Sequence, residues 1–263
     1  MLVASGALSR IHLRMLMPHA DGLDISFVNR TDTWAGFSVA GPNARDVVQD
    51  AMGDENVPAF FGCKACAIGE VDCVVLRLSY VGELSYEIHC ALADQLALHD
   101  ALLVAAETTG REMTAFGSRA MNAMRIEKAL PRTGDELTIE ATPYELGMDW
   151  MLDLERNDFC IGQDVLRQMR NAQPRYRLVS MVLEETDVDP TGGEPVVQGG
   201  DLVGYVSSAA YGHRVGKTVA MGFLRPDLCQ SGTDVSVCVL EREISAKVLT
   251  EPVFDPEGQL ARG

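Results

Sequence analysis

Residues 77–90, RLSYVGELSYEIHC, contain two short runs of alternating apolar and polar side chains that meet at residues 81–83, VGE. Alternation with a period of two is typical of strands that bury one face. The stretch therefore predicts an antiparallel hairpin with Glu83 at its turn. A tight turn needs only a glycine or an Asn-Gly pair, so the turn alone does not explain a carboxylate at this position.

The sequence on either side of this hairpin predicts a mixture of strands and helices. Pro42 suits the first turn of a helix, and Gly110 suits a left-handed helix end. The predicted strands are 34–40, 63–68, 72–80 and 85–91, and the predicted helices are 42–52, 92–108 and 117–129. Hairpins without a regular βαβ series indicate an α+β domain with an antiparallel sheet.

The spacing of apolar residues along the sequence changes near residue 172. From Arg175 onward, short apolar runs recur about every ten residues, at 176–183, 202–208, 218–224, 234–240 and 244–249, with glycine-rich or charged turns between them. Even spacing of this kind indicates a small antiparallel β-barrel that is closed or nearly closed. We predict two domains, an α+β domain over 1–172 and a barrel domain over 173–263.

Composition and charge exclude several classes of partner. The chain has 263 residues and a formal net charge of −16, which disfavours binding to nucleic acid and to anionic membranes. No apolar run reaches the ~20 residues of a spanning helix. The basic residues near the N-terminus follow the apolar residues, the reverse of the order in a secretory signal. We therefore expect a cytoplasmic protein.

The cysteines and histidines do not predict a metal site. Seven cysteines are an odd number, and Cys63 and Cys66 have CxxC spacing within a predicted strand, where positions i and i+3 face opposite sides. Burial as small apolar side chains is the simpler interpretation, and a metal site or redox pair is the alternative.

Five patches, read in order, resemble the tetrahydrofolate-dependent aminomethyltransferases, the family of the glycine cleavage T-protein. The patches are VAGPNAR (39–45), YVGELSYE (80–87), MRIEK (124–128), TPYELG (142–147) and GYVSSAAYGH (204–213). Within this family, the chain is most similar to the folate-binding C-terminal region of dimethylglycine and sarcosine dehydrogenases. The resemblance implies an antiparallel folate-binding domain, incomplete at its N-terminus, followed by a small barrel.

The resemblance also implies a role for Glu83, which matches the glutamate of the family's Gly-Glu-x-Gly turn. A reduced pterin has a ring N–H and an amino group side by side, and a carboxylate accepts both at once. The alternative is that Glu83 is a solvated turn residue. Ser85 replaces the usual glycine of the motif, so the backbone path is expected to differ slightly.

Two further cofactor-binding residues, Arg125 and Tyr80, follow from the resemblance. Arg125 matches the arginine of a family helix beside the folate, and its alternative is an ion pair with Glu127 or Asp149. Tyr80 either stacks on the pterin or packs within its strand. Weaker candidates are Lys128 and Arg132 for the glutamyl tail, with surface solvation as the alternative, and Tyr211 and His213 at the rim.

The implied reaction passes a one-carbon unit from an amine such as glycine, dimethylglycine or sarcosine, or from a sulfonium donor, to tetrahydrofolate. The family's catalytic acid has no counterpart in this sequence, because the chain resembles only about the last two thirds of the family fold. The catalytic residue is therefore unassigned, and enzymatic activity is left open.

Two other functions remain open. The chain is either a non-catalytic folate-binding module or subunit that works with an oxidoreductase, or a folate protein of iron–sulfur repair. The stretch NDFCIGQD (157–164) partly matches the motif of the latter. A missing segment would also favour a partner chain or a homo-oligomer.

Overall fold

The computed structural model describes residues 2–156, 158, 160–185, 187 and 189–263. The α-helices are α1 (Ser9–Leu16), α2 (Ala44–Met52), α3 (Gln95–Thr108), α4 (Ser118–Glu127), α5 (Gln163–Met169) and α6 (Gln259–Arg262). The strands are β1 (Trp34–Ala40), β2 (Cys63–Ile68), β3 (Val71–Leu76), β4 (Ser85–Ala91), β5 (Arg177–Leu183), β6 (Pro195–Gln198), β7 (Asp201–Gly212), β8 (Lys217–Leu224), β9 (Asp234–Val239) and β10 (Arg242–Leu249).

The chain divides into two compact units. The first contains the residues up to Ser79 together with Glu83–Ala115 and Leu260–Gly263, and the second contains Tyr80–Gly82 and Phe116–Gln259. None of the helices in the described part of the chain is long and apolar enough to cross a membrane.

The first unit is built on a four-stranded antiparallel sheet of order β1-β4-β3-β2. Alternate side chains of β4 face the core, where Tyr86, Ile88 and Cys90 are fully buried. Helices α2 and α3 supply the apolar side chains on that face of the sheet, among them Val48 and Leu98. Because a strand alternates its faces, the intervening residues of β4 point to the opposite side of the sheet.

Helix α2 shows how local sequence sets an element boundary in this unit. Gly53 follows the helix with φ +58°, and its N–H donates to the carbonyl oxygens of Gln49 and Asp50. Glycine tolerates this left-handed conformation at little cost, so the helix ends where its final carbonyl groups gain partners.

The second unit contains a closed antiparallel barrel of order β10-β5-β8-β7-β6-β9. Its interior is filled by alternate side chains of the strands, including Met181, Val206, Leu224, Val237 and Ile244. Helix α4 lies outside this interior, and Ile126 packs with Val219 and Met221 in a separate apolar cluster. The predicted α+β class with a C-terminal barrel is confirmed, while the domain boundary at residue 172 stays a prediction.

Candidate functional site

The segment that carries Glu83 is a loop, which corrects the prediction of a tight hairpin turn. Strand β3 ends at Leu76, and its antiparallel pairing with β4 begins at Leu76 opposite Glu87. The predicted strand over 72–80 is therefore wrong in its last four residues. Arg77 still pairs with the residues that precede β2, since its N–H donates to the carbonyl oxygen of Gly62 and its own carbonyl oxygen accepts from the N–H of Phe61, but its pairing with β4 has ended.

The main chain around Glu83 is well fixed. Gly82 adopts φ +79°, a left-handed conformation that favours glycine. The hydroxyl of Ser79 donates to the carbonyl oxygen of Glu83 at 2.6 Å, and the next residue, Leu84, is buried. Glu83 itself is half-buried, and these contacts fix the main chain from which its side chain extends.

A row of polar residues follows Glu83 along the sheet face that the helices leave uncovered. It consists of Ser85, Glu87 and His89 on β4, with Ser38 of β1 opposite Glu87. The hydroxyl oxygens of Ser38 and Ser85 lie 3.4 Å apart, and Glu87 Oε2 lies 3.4 Å from His89 Nε2. Ser85, which replaces the expected glycine, is buried within this row.

The polar row ends at a cavity of about 950 Å³ in the first unit. Segment 2–31 forms most of the lining, and the sheet contributes Trp34, Gly36 and His89. No aspartate or glutamate is present among the lining residues, all of which belong to the described part of the chain. The carboxylate of Glu87 lies 3.4 Å from His89, at the edge of this lining.

In the second unit, Arg125 is fully buried and its charge is committed to carboxylates. It donates to Glu136 at 2.8 Å and to Asp135 at 3.1 Å, and also to Asn122 and to the carbonyl oxygen of Leu130. The sequence had offered Glu127 or Asp149 as alternative partners, and the structure places Asp135 and Glu136 there instead.

Glu136 is the centre of a buried polar network that the sequence analysis missed. Its carboxylate accepts hydrogen bonds from Ser207 at 2.7 Å, from Ser208 at 2.5 Å and from the main-chain N–H of Arg132 at 2.9 Å. The serines lie more than seventy residues away in the sequence. No local spacing therefore identifies this partner of Arg125.

Tyr80 lies in the same electrostatic neighbourhood as Arg125. Burial raises the pKa of its phenol, which the positive charges of Arg125 and Arg132 partly offset. The side chain is half-buried, so it retains an accessible surface. The structure thus brings Tyr80 and Arg125 together in the second unit, while Glu83 belongs to the first.

The weaker candidate residues differ in burial and in the partners they contact. Lys128 is largely buried and pairs with Asp255 at 2.9 Å, which corrects the alternative of a solvated lysine. Arg132 is about half exposed and pairs with Asp135. The rings of Tyr211 and His213 are in edge-to-face contact, with centroids 5.0 Å apart.

The cysteines of the first unit lie within the sheet. Cys63 is exposed and Cys66 is half-buried, because they point to opposite faces of β2. Cys66 lies opposite Cys73. Burial raises the pKa of the Cys73 thiol from 9.0 to about 12. Within the described residues, no group of three or more His, Cys, Asp or Glu side chains has an arrangement that suits a metal ion.

Part of the motif considered for iron–sulfur repair has no structural description. Asn157 and Phe159 lie outside the described residues. The remainder leads into helix α5, which begins at Gln163 directly after Gly162.

Comparison with known proteins adds family models, relatives and a related structure. Residues 1–156 match the model described as GCVT N-terminal domain, and residues 177–255 match the glycine cleavage T-protein C-terminal barrel domain. The chain is 32% identical to human mitochondrial dimethylglycine dehydrogenase over 258 residues, which are 96% of this chain and 30% of that protein. It is 26% identical to an aminomethyltransferase of Bacillus pumilus over 241 residues, which are 91% of this chain and 65% of that protein.

The fold is similar to that of a solved protein. The crystal structure of the glycine cleavage aminomethyltransferase T from Bartonella henselae matches with a TM-score of 0.83 at 22% identity, covering 95% of this chain and 67% of that one. The chain thus spans less than a third of the dimethylglycine dehydrogenase and about two thirds of the aminomethyltransferases.

Proposed function

Because the chain belongs to the glycine cleavage T-protein family, we propose that it binds tetrahydrofolate and takes part in the transfer of a one-carbon unit. The observation that carries this proposal is the position of Glu83, a half-buried glutamate on a fixed main chain. Tetrahydrofolate is the acceptor substrate in this proposal, and an amine is the donor.

Glu83 suits the donor edge of a reduced pterin. The pterin ring N–H and exocyclic amino group are parallel donors, and a carboxylate accepts both in a charge-assisted bidentate pair. The ordering cost on binding is small because Gly82 and Ser79 already hold the adjoining main chain.

The rest of an extended ligand has room along the first unit. From Glu83 to His89 the chain advances six residues, which is about 20 Å in an extended strand. Glu87, which is half-buried, supplies a hydrogen-bonding group along this path, and the cavity beside His89 has a volume of about 950 Å³. The lining includes Arg30 and contains no aspartate or glutamate, which favours the anionic glutamyl end of a folate there, while Glu87 borders the cavity at His89.

The roles of Arg125 and Tyr80 stay predictions of the family resemblance. Arg125, predicted as a cofactor-binding residue, is fully buried and holds the polar network of Asp135 and Glu136, through which it would support the folate site. Tyr80 presents a half-buried ring that is suited to stacking.

The proposed chemistry requires the protein mainly to bind and orient the reactants. Proximity and a fixed pterin account for a large part of such a rate enhancement. No catalytic acid is assigned among the described residues. The donor amine is also unassigned, with glycine, dimethylglycine and sarcosine as the candidates.

A folate-binding module that works with an oxidoreductase is the second candidate function. The observation in its favour is that 96% of this chain matches a segment that makes up only 30% of a dimethylglycine dehydrogenase. In such an arrangement the oxidoreductase would supply the oxidised carbon unit, and this chain would hold the acceptor.

Calorimetry with tetrahydrofolate tests the binding site. We expect Glu83→Gln to weaken binding by about 1–3 kcal/mol, the usual scale for a hydrogen bond to a charged group. Glu70→Gln is the matched control, because Glu70 is an exposed glutamate at the turn between β2 and β3. Equal affinity of Glu83→Gln and the wild type would remove Glu83 from the site.

Product analysis distinguishes the two functions. A complete transferase should convert tetrahydrofolate and an amine donor to methylene- or methyl-tetrahydrofolate without another protein. Product that forms only after an amine oxidoreductase is added would instead favour the module.

A further inference from the structure

In the second unit, the main chain of residues 80–82 is contacted by two cationic side chains. Arg214 lies in the turn between β7 and β8, and Lys128 follows helix α4. Residues 80–82 directly precede Glu83, so whatever fixes their main chain also fixes the start of the segment that presents Glu83.

Arg214 binds the carbonyl oxygen of Val81 through a rigid fork. Its Nη1 donates to that oxygen at 3.0 Å, and its Nη2 donates to the carbonyl oxygen of Met124 at 2.8 Å. Val81 is itself buried, with 2% of its surface exposed. One planar guanidinium therefore ties the loop to the last turn of α4, which a lysine ammonium cannot do with the same geometry.

Glu127 holds the guanidinium in place. Its carboxylate is buried and accepts hydrogen bonds from Arg214 Nε and, at 2.9 Å, from the Arg214 main-chain N–H. The guanidinium carbon also lies 3.6 Å from the centroid of the Phe254 ring. With its carboxylate partner and its aromatic face both provided, the side chain of Arg214 has little freedom.

Lys128 forms the second contact. An added Cβ at Gly82 would lie 3.0–3.1 Å from the Lys128 side-chain carbons, so the loop backbone packs closely against this lysine. Lys128 is held by Asp255, through its carboxylate at 2.9 Å and its carbonyl oxygen. The loop thus lies against two cations whose positions are set by buried carboxylates.

We propose that Arg214 is a positioning residue that acts through the Val81 carbonyl and fixes the direction of Glu83 for pterin binding. This inference rests on the proposed function. Arg214 does not need to touch the ligand, because it determines the backbone from which Glu83 extends. Preorganising a binding group in this way increases affinity by lowering the ordering cost on binding.

Arg214→Lys is the informative change, because it keeps a positive charge beside Glu127 and loses the fork to the carbonyl oxygens of Val81 and Met124. Arg242→Lys is the matched control, because Arg242 is a half-exposed barrel arginine that pairs with Glu185. In the free protein, hydrogen exchange should show faster exchange across residues 81–84 in Arg214→Lys, by about tenfold, and no change there in the control.

A double-mutant cycle then links the loop to the ligand. We expect Arg214→Lys to weaken tetrahydrofolate binding about tenfold in the wild-type background and less than about twofold in the Glu83→Gln background, since coupled residues are non-additive. A purely structural role would give equal losses in both backgrounds and would overturn the proposal.

The outcomes also separate the two proposals. Unchanged exchange at 81–84 in a folded Arg214→Lys protein overturns the role of Arg214 even if tetrahydrofolate binds through Glu83. Absence of tetrahydrofolate binding by the wild type overturns the proposed function, and the ligand-directed role of Arg214 with it, whatever the exchange rates show.

Discussion

At the scale of single residues, Arg125 is expected to be essential for stability. Its removal leaves the fully buried carboxylate of Glu136 without its cationic partner, and such losses cost about 3–5 kcal/mol. We predict that Arg125→Met lowers the free energy of unfolding by this amount in urea titration. Arg132→Met, which removes a half-exposed arginine paired with Asp135, should cost less than about 1 kcal/mol. Similar losses of unfolding free energy in Arg125→Met and Arg132→Met would contradict the role of Arg125 as the essential partner of Glu136.

The sequence located Arg125 on its helix but did not predict its surroundings. Glu136 lies eleven residues away across a turn, and Ser207 and Ser208 come from the barrel. Helical spacing identifies neighbours three or four residues apart, which on α4 includes Asn122 but not Glu136. Glu127, one of the partners offered from the sequence, instead pairs with Arg214. Contacts between distant segments of the chain depend on the tertiary fold, and no local pattern encodes them.

At the scale of elements, the approach of β7 and β8 depends on glycines. A Cβ at Gly204 would lie 2.1 Å from the carbonyl oxygen of Phe223, which is a main-chain atom and cannot rotate away. We predict that Gly204→Ala lowers the unfolding free energy by at least about 2 kcal/mol, measured by chemical denaturation. Gly117→Ala, where an added Cβ meets open space, should cost less than about 1 kcal/mol. An unchanged unfolding free energy in Gly204→Ala would show that β7 and β8 can move apart at little cost.

The boundaries of several elements follow from sequence alone. The predicted ranges of β1, β2 and β4 agree with the structure, because each is a short run bounded by turn residues or a helix start. Strand β6 was missed, since four residues that begin with Pro195 are too short for an alternating pattern. The end of β3 was predicted four residues too late, because the alternation continues into the loop while the pairing with β4 does not.

At the scale of the whole molecule, buried thiols and phenols make stability depend on alkaline pH. Burial raises the pKa of Cys73 from 9.0 to about 12, and it also raises the pKa values of Cys66, Cys90 and Tyr80. These groups ionise more readily in the unfolded chain, so their contribution is complete below pH 9 and is lost as the pH rises toward 12. We predict a falling thermal midpoint above pH 9, with a shallower fall in Cys73→Ala. An equal fall in both proteins would exclude Cys73 as a cause.

The division into an α+β part and a barrel was predictable because the periodicity of apolar residues differs between the two parts of the sequence. Even spacing of apolar runs predicted the barrel, and mixed periodicities predicted the α+β part. The order of the barrel strands was not predictable, since β6 pairs with β9 as well as with its sequence neighbour β7. Closing the barrel requires this distant pairing, which the spacing of the runs does not specify.

The difference between the two sheets has a consequence for behaviour at high concentration. The barrel is closed, so its main-chain hydrogen-bonding groups already face one another around the ring. The sheet of the first unit is open, and β1 and β2 are its outermost strands. Association of chains by strand addition would therefore begin at β1 and β2. At high protein concentration, the NMR signals of their amide groups should change before those of the barrel.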